Sequence, residues 1–331
     1  MAVYTEVSTP EVRALLQQLG LGELMEMQGC PGGIENTNYF VTAQVDAESR
    51  DYVLTLFERL TFAQLPFYLG LMKHLAERGI PVPKPSANAQ GELVFELKGK
   101  PAAVVNRLRG KNVLDPSPSH CAAVAATLAK MHLAGRDFSL TQANLRGLPW
   151  WNETVPRVLP YLSSPQAELI KSELALQNQI ATTTGYAALP RGPIHADLFR
   201  DNVMFEELDG QARLSGFFDF YFAGMDHWIF DVAVCLNDWC VDLDSGRHNP
   251  QRALSFMRAY MAVRPLSAAE CELLPAMLRG AALRFWLSRL WDYHQPRAAS
   301  LLKAHDPAHF ERVLRQRVQH PFLISSLVAC P

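Results

Sequence analysis

The stretch Ile194-His195-Ala196-Asp197-Leu198-Phe199-Arg200-Asp201-Asn202-Val203-Met204-Phe205 decides how this chain is read. It has the form H-x-D-x-x-x-x-N and runs into apolar residues. After a polar turn the chain returns as Leu214-Ser215-Gly216-Phe217-Phe218-Asp219-Phe220, a second apolar strand ending in a carboxylate. An acid, an amide after it, and a second acid beyond a short hairpin are the groups that phosphoryl transfer to a hydroxyl uses. Asp197 would orient the attacking hydroxyl and accept its proton. Asn202 offers a neutral oxygen and Asp219 a charged one, which suffices for Mg2+ when ATP phosphates supply further ligands. Alone, the first motif also fits a β-hairpin with polar turn caps. The acid at the end of the second strand favours the phosphotransferase reading.

Neighbouring residues divide between chemistry and support. His195, beside a strand end, reads as a group that fixes the loop by hydrogen bonds. Arg200 has two readings: a guanidinium that neutralises the γ-phosphoryl group, or one paired with Asp201 or another acid. Asp231 either caps a helix or braces the catalytic loop. Upstream, Gly29-Cys30-Pro31-Gly32-Gly33-Ile34-Glu35-Asn36-Thr37-Asn38 is a glycine-rich loop. Gly32 and Gly33 would let backbone N–H groups approach phosphate oxygens, with Asn36 and Asn38 ordering the loop or touching phosphate.

The rest of the chain sets the frame. Its 331 residues are enough for two lobes, each with its own core. A formal net charge of -2 gives no support for binding nucleic acid or an acidic membrane surface. No apolar run reaches the roughly 18 residues of a membrane-spanning helix. The N-terminal residues lack the basic start and apolar core of a secretion signal. The six cysteines form no C-x-x-C pair and no zinc spacing with histidine, so reduced thiols and a cytoplasmic location are expected.

Periodicity predicts a helix capped at Thr9, strands over 39–42 and 52–57, and a helix over 62–78. Asn88-Ala89-Gln90-Gly91 reads as a hairpin turn, with apolar runs at 93–97 and 102–105. Beyond Arg107-Leu108-Arg109-Gly110 the pattern turns helical: 121–133, two segments between 155 and 183, then 228–239, 251–263, 268–291 and 307–317. The architecture expected is α+β and bilobal: a small antiparallel-sheet lobe over 1–105, a hinge over 106–112, and a larger helical lobe over 113–331. The crevice between the lobes is the default place for a small ligand.

Two clusters in the helical half stand out: Asn237-Asp238-Trp239-Cys240 and Arg284-Phe285-Trp286-Leu287-Ser288-Arg289. Aromatics at helical spacing usually belong to a core, but a buried guanidinium needs a partner. A substrate carboxylate could serve Arg284 and Arg289, and Asp238 could meet a substrate ammonium. Alternatively, Asp238 and an arginine pair with each other.

Together with Glu35-Asn36-Thr37-Asn38-Tyr39-Phe40 and Tyr52-Val53-Leu54-Thr55-Leu56-Phe57-Glu58, the catalytic motif resembles the aminoglycoside-phosphotransferase-like kinases. The two helical clusters resemble its homoserine kinase branch, the bacterial type used in threonine synthesis. The resemblance covers nearly the whole chain and implies a protein-kinase-like fold, ATP and Mg2+ as cofactors, and homoserine as acceptor. It makes Asp197 the base and Asn202 and Asp219 the metal ligands. It places the backbone of Asn106 to Leu108 against adenine. That Asp238, Arg284 and Arg289, with Trp239 beside them, meet the ammonium and carboxylate of homoserine is read from their own chemistry and not from the resemblance. It implies nothing about oligomeric state. One departure concerns the lysine that kinase folds place on the third strand. Thr55 stands there, and Arg59, on the same face if the strand extends that far, or Arg200 could substitute.

Overall fold

The computed structural model describes residues 5–30, 36–295 and 306–322. The chain divides into two compact units, Met1–Arg109 with Ser215–Phe218, and Gly110–Leu214 with Asp219–Pro331.

The first unit is built on a five-stranded antiparallel sheet. Its strands are β1 (Glu23–Gly29), β2 (Thr37–Val45), β3 (Glu48–Leu56), β4 (Phe95–Leu97) and β5 (Lys100–Asn106), in the order β1-β2-β3-β5-β4. Along β2 alternate residues turn inward, so Tyr39, Val41 and Ala43 meet Tyr52, Leu54 and Leu56 of β3 in one core. Helix α1 (Thr9–Leu19) closes that core with Val12, Leu15, Leu16 and Leu19. Each such side chain, fully buried, stabilises the fold by about 1.5–3 kcal/mol. The cap of α1 is Ser8, one residue before the expected Thr9; Ser8 N–H and Oγ–H both donate to Glu11, at 2.9 and 2.6 Å. Helix α2 (Leu65–Glu77) is shorter than the predicted 62–78 because Pro66 sets its first turn.

The hairpin turn lies elsewhere than expected. Asn88 does organise a turn, its side chain accepting from Gln90 and Glu92 N–H. The turn joining β4 to β5, however, is Lys98-Gly99, both at positive φ. A lysine in the left-handed region carries no sequence signal for such a turn.

In the second unit, α3 (Pro118–Ala134), α4 (Leu148–Val158), α5 (Ser164–Ala181) and the short α6 (Thr184–Ala187) precede the site segment. That segment comprises β6 (Arg191–Ile194), β7 (Val203–Leu208), β8 (Gln211–Phe217) and β9 (Gly224–His227). β7 and β8 form the expected hairpin around Asp209-Gly210. β6 pairs antiparallel with β9, a pairing the sequence did not announce. Helices α7 (Trp228–Trp239), α8 (Pro250–Val263), α9 (Ala268–His294) and α10 (Ala308–Gln319) complete the unit. All twelve residues of α7 are buried, so it forms the centre of this helical body.

Candidate active site

The H-x-D-x-x-x-x-N segment leaves β6, forms an irregular loop and enters β7 through a single 3-10 turn, Arg200–Asn202. Ala196 sits at φ 65°, in the left-handed region that a side chain adopts only at a cost. What holds it there is Asp231, fully buried in α7. Its carboxylate accepts the backbone N–H groups of His195 and Ala196, both at 2.7 Å. Of its two readings, Asp231 therefore takes the bracing one.

Asp231 is itself held by a buried chain of hydrogen bonds. His132 Nε2 lies 3.2 Å from its Oδ2, and His132 Nδ1 lies 2.7 Å from the Tyr260 hydroxyl. Arg264 Nε donates to that hydroxyl oxygen at 2.8 Å and pairs with Glu270. One set of directions satisfies every atom: Arg264 to Tyr260, Tyr260 to Nδ1, and Nε2–H to Asp231. It requires a neutral His132, and burial pushes the His132 pKa down against the pull of Asp231. Sequence reasoning missed His132 and Tyr260. Their partners lie 99 and 128 residues away, so no local signal marks them.

Asp197 follows, with its N–H directed to His195 Nδ1 at 3.3 Å. Asn202 donates its Nδ2 to the Asp197 carbonyl at 2.8 Å and approaches the Asp197 carboxylate at 3.3 Å. The amide is thus oriented with its Oδ1 left for another partner. Asn112 fixes the far side of the loop by donating to the carbonyls of Asp201 and Val203, at 2.8 and 3.0 Å.

Asp219, two residues past the end of β8, is also in the left-handed region, at φ 64° and ψ 60°. The next turn carries Phe220, whose ring lies 4.5 Å from that of His195, and Phe222, whose ring lies 5.2 Å from the Arg284 guanidinium. These contacts tie the 219–222 segment to the catalytic loop. Arg284, in α9, brings Nη1 to 3.6 Å from Asp197 Oδ1.

Arg200 and Asp238 are spent on each other. Asp238 Oδ2 accepts from Arg200 N–H at 2.8 Å and from Nε at 3.2 Å. The remaining guanidinium nitrogens donate to the carbonyls of Leu114 and Asp238. Of the two readings of each residue, the structure contains the paired one, with Asp238 as the acid, and the pair braces the catalytic loop. Burial pushes the Asp238 pKa up, and the Arg200 guanidinium opposes it. Trp239 is likewise no acceptor contact; fully buried, it donates its indole N–H to the Leu198 carbonyl at 3.0 Å. Arg289 stacks on Phe310, with its guanidinium 4.4 Å from the ring, and donates to the Asp306 carbonyl.

The remaining expected residues lie in the sheet unit. Gly32 and Gly33 fall outside the described residues. Asn36 precedes β2, and Asn38 Oδ1 accepts the Thr55 hydroxyl at 2.7 Å. Thr55 is buried, so the third-strand lysine position holds a short hydroxyl engaged within the sheet. β3 ends at Leu56, and Arg59 is exposed beyond it, not on the strand face as expected. Asn106 ends β5 with its N–H donated to the Lys84 carbonyl and its Oδ1 accepting Lys84 N–H. Leu108 packs where Gly216 leaves room: a Cβ at Gly216 would stand 2.8 Å from its Cδ1 and 2.5 Å from the Pro81 carbonyl.

Comparison with known proteins gives the family and the fold. The model of the phosphotransferase enzyme family matches residues 26–297. Homoserine kinase of Polaromonas naphthalenivorans (strain CJ2) is 63% identical over 98% of this chain and 100% of its own. Homoserine kinase of Cupriavidus necator is 55% identical over 96% of both chains. Among solved structures, amicoumacin kinase in complex with AMP-PNP, Ca2+ and Ami superposes with a TM-score of 0.67 at 19% identity, over 97% of this chain and 100% of that one. Choline kinase from Cryptosporidium parvum Iowa II does so with 0.61 at 13%, over 89% and 88%. These two likenesses show the kinase-like fold.

Proposed function

The chain belongs to the phosphotransferase enzyme family and, within it, to the homoserine kinases, and from that premise we propose which of its groups carry the reaction. The activity is ATP-dependent phosphorylation of the side-chain hydroxyl of L-homoserine.

Asp197 orients that hydroxyl and accepts its proton, a contribution worth roughly 10²–10⁴-fold in such sites. Asn202 Oδ1 and the Asp219 carboxylate would hold Mg2+, which would neutralise charge on the phosphates of ATP. Among the described residues, no three His, Cys, Asp or Glu side chains gather to hold a metal. A cation here needs the nucleotide's own oxygens, as Mg2+ in a phosphotransferase does. The observation that carries this reading is the turn of the Asn202 amide. By donating Nδ2 to Asp197, it couples the base to a metal ligand on a loop that Asp231 and the Arg200–Asp238 pair fix.

With Thr55 occupied by Asn38, the phosphates fall to backbone N–H groups of the loop containing Gly32, Gly33 and Asn36. With Asn106 drawn to Lys84, Leu108 is the connector residue that meets adenine. No helix among the described residues is long and apolar enough to cross a membrane. Use of ATP as donor goes with the cytoplasmic location we propose.

The test is ADP release by purified protein with ATP, Mg2+ and a panel of homoserine, choline and an aminoglycoside. Homoserine should be the fastest acceptor, and EDTA should abolish turnover. Preference for another acceptor, or full rate in EDTA, would overturn the corresponding assignment.

A further inference from the structure

Arg284 is an unusual group for its place. It is 3% exposed, in the middle of α9 among apolar neighbours. Its guanidinium lies 3.8 Å from the Phe285 ring and 5.2 Å from that of Phe222. Nη1 reaches Asp197 at 3.6 Å, an ion pair longer than a hydrogen bond. Nε and Nη2, both buried, have no hydrogen-bond partner among the described residues. A guanidinium with two unmet donors in an apolar setting is costly, and natural interiors tolerate it where a ligand completes the set.

Charged groups of both signs surround it. Those acting on Arg284 are Asp197 and Asp292, against Arg146 and Arg289. Arg146 approaches the same Phe222 ring, at 5.9 Å, from which Arg284 stands 5.2 Å. An anion bound beside this ring would stand near both cations. Burial pushes the Arg284 pKa down, with Asp197 opposing, but only to about 10, so the cation persists at neutral pH.

We propose that Arg284 is the specificity-determining residue for the acceptor, its free Nε and Nη2 holding the α-carboxylate of the amino-acid alcohol whose hydroxyl Asp197 addresses. This rests on the homoserine kinase reading above. A guanidinium fork matches a carboxylate through two parallel hydrogen bonds. Its position beside the base lets one side chain anchor the acid end of the acceptor while its neighbour orients the hydroxyl end. The flanking rings of Phe222 and Phe285 suit the short carbon chain between those ends, whereas a transferring phosphoryl group, strongly hydrated, gains nothing from them. The enzyme would thereby reject amino alcohols that lack a carboxylate, because binding them leaves the buried donors unmet.

The experiment compares homoserine with homoserinol, the same molecule with the carboxylate reduced to an alcohol, in wild type, Arg284→Met and Arg284→Lys. Wild type should prefer homoserine. In Arg284→Met, the ratio of kcat/KM for homoserine over homoserinol should fall by about 100-fold, the usual scale for losing a buried charged hydrogen-bond partner. The KM for ATP should stay within about twofold, in keeping with uniform acceptor-side binding being lost. Arg284→Lys keeps the charge without the fork and should show an intermediate ratio; it serves the same test if the methionine variant does not fold. Equal losses for both acceptors, or a large rise in the KM for ATP, would place Arg284 on the phosphoryl group and overturn the proposal. An unchanged ratio would overturn it too. Failure of wild type to phosphorylate homoserine at all would instead strike the underlying assignment of the reaction.

Discussion

Replacing Asp231 with asparagine should disable the catalytic loop from a distance. Asp231 touches neither the base nor the proposed metal ligands, yet both of its oxygens accept loop N–H groups at 2.7 Å. Asparagine keeps one acceptor and turns an NH2 toward a backbone donor. One hydrogen bond to a charged group is lost, about 1.5–3 kcal/mol. The left-handed Ala196, whose conformation costs about 1–2 kcal/mol, then loses its restraint. Together roughly 3–5 kcal/mol act to displace the loop. At 1.36 kcal/mol per tenfold, the expected fall in kcat is about 10²–10⁴-fold. Steady-state ADP release at saturating homoserine reads it, alongside ATP affinity measured by titration calorimetry, which should hold. Adding Ala196→Gly, which removes the left-handed penalty, should recover a few-fold of the loss; a residue that merely supports the fold would show no such rescue. An Asp231→Asn variant with kcat within threefold of wild type would refute the idea that this carboxylate positions the loop.

Two further outcomes follow from the buried charges. Asp238→Ala strands the buried Arg200 guanidinium, so unfolding in urea should show a loss of about 3–5 kcal/mol; a loss below 1 kcal/mol would contradict the structural role of the pair. Stability should also decline on acidification. Burial lowers the folded pKa of His132 and His248, and takes that of His309 to about 4. The unfolded chain therefore takes up protons first. Stability is full above the unfolded value of about 6.5 and is lost as pH falls through the folded values. Asp238, with its raised pKa, runs the other way and offsets part of the loss. Urea unfolding at pH 7.5 and pH 5 should show the lower midpoint at pH 5, and equal or reversed midpoints would count against the buried neutral histidines.

The division of this chain between what could and could not be read beforehand has a physical basis. His195, Asp197, Asn202 and Asp219 stand out in the sequence because they lie at fixed spacings within a local strand-loop-strand unit, which the structure contains. Arg200 and Asp238 kept two readings each, and Trp239 could not be told from a core aromatic, because their partners are 38 or more residues apart and α7 is buried on every face. A helix with no solvent side has no periodicity from which to separate a ligand-facing residue from a bracing one. The Lys98-Gly99 turn escaped for a related reason: the register of β4 on β5 forces lysine into a conformation its sequence does not advertise. Arg59 was placed on β3 by extending the period-two rule past Leu56, where the strand ends.

The most direct measurement is homoserine-dependent ADP release by Asp197→Asn with ATP affinity recorded on the same sample. The account predicts turnover lowered by at least about 100-fold with nucleotide binding intact. Wild-type kcat in that variant would mean that the hydroxyl is oriented by some other group, and the assignment of the loop as the centre of phosphoryl transfer would fall.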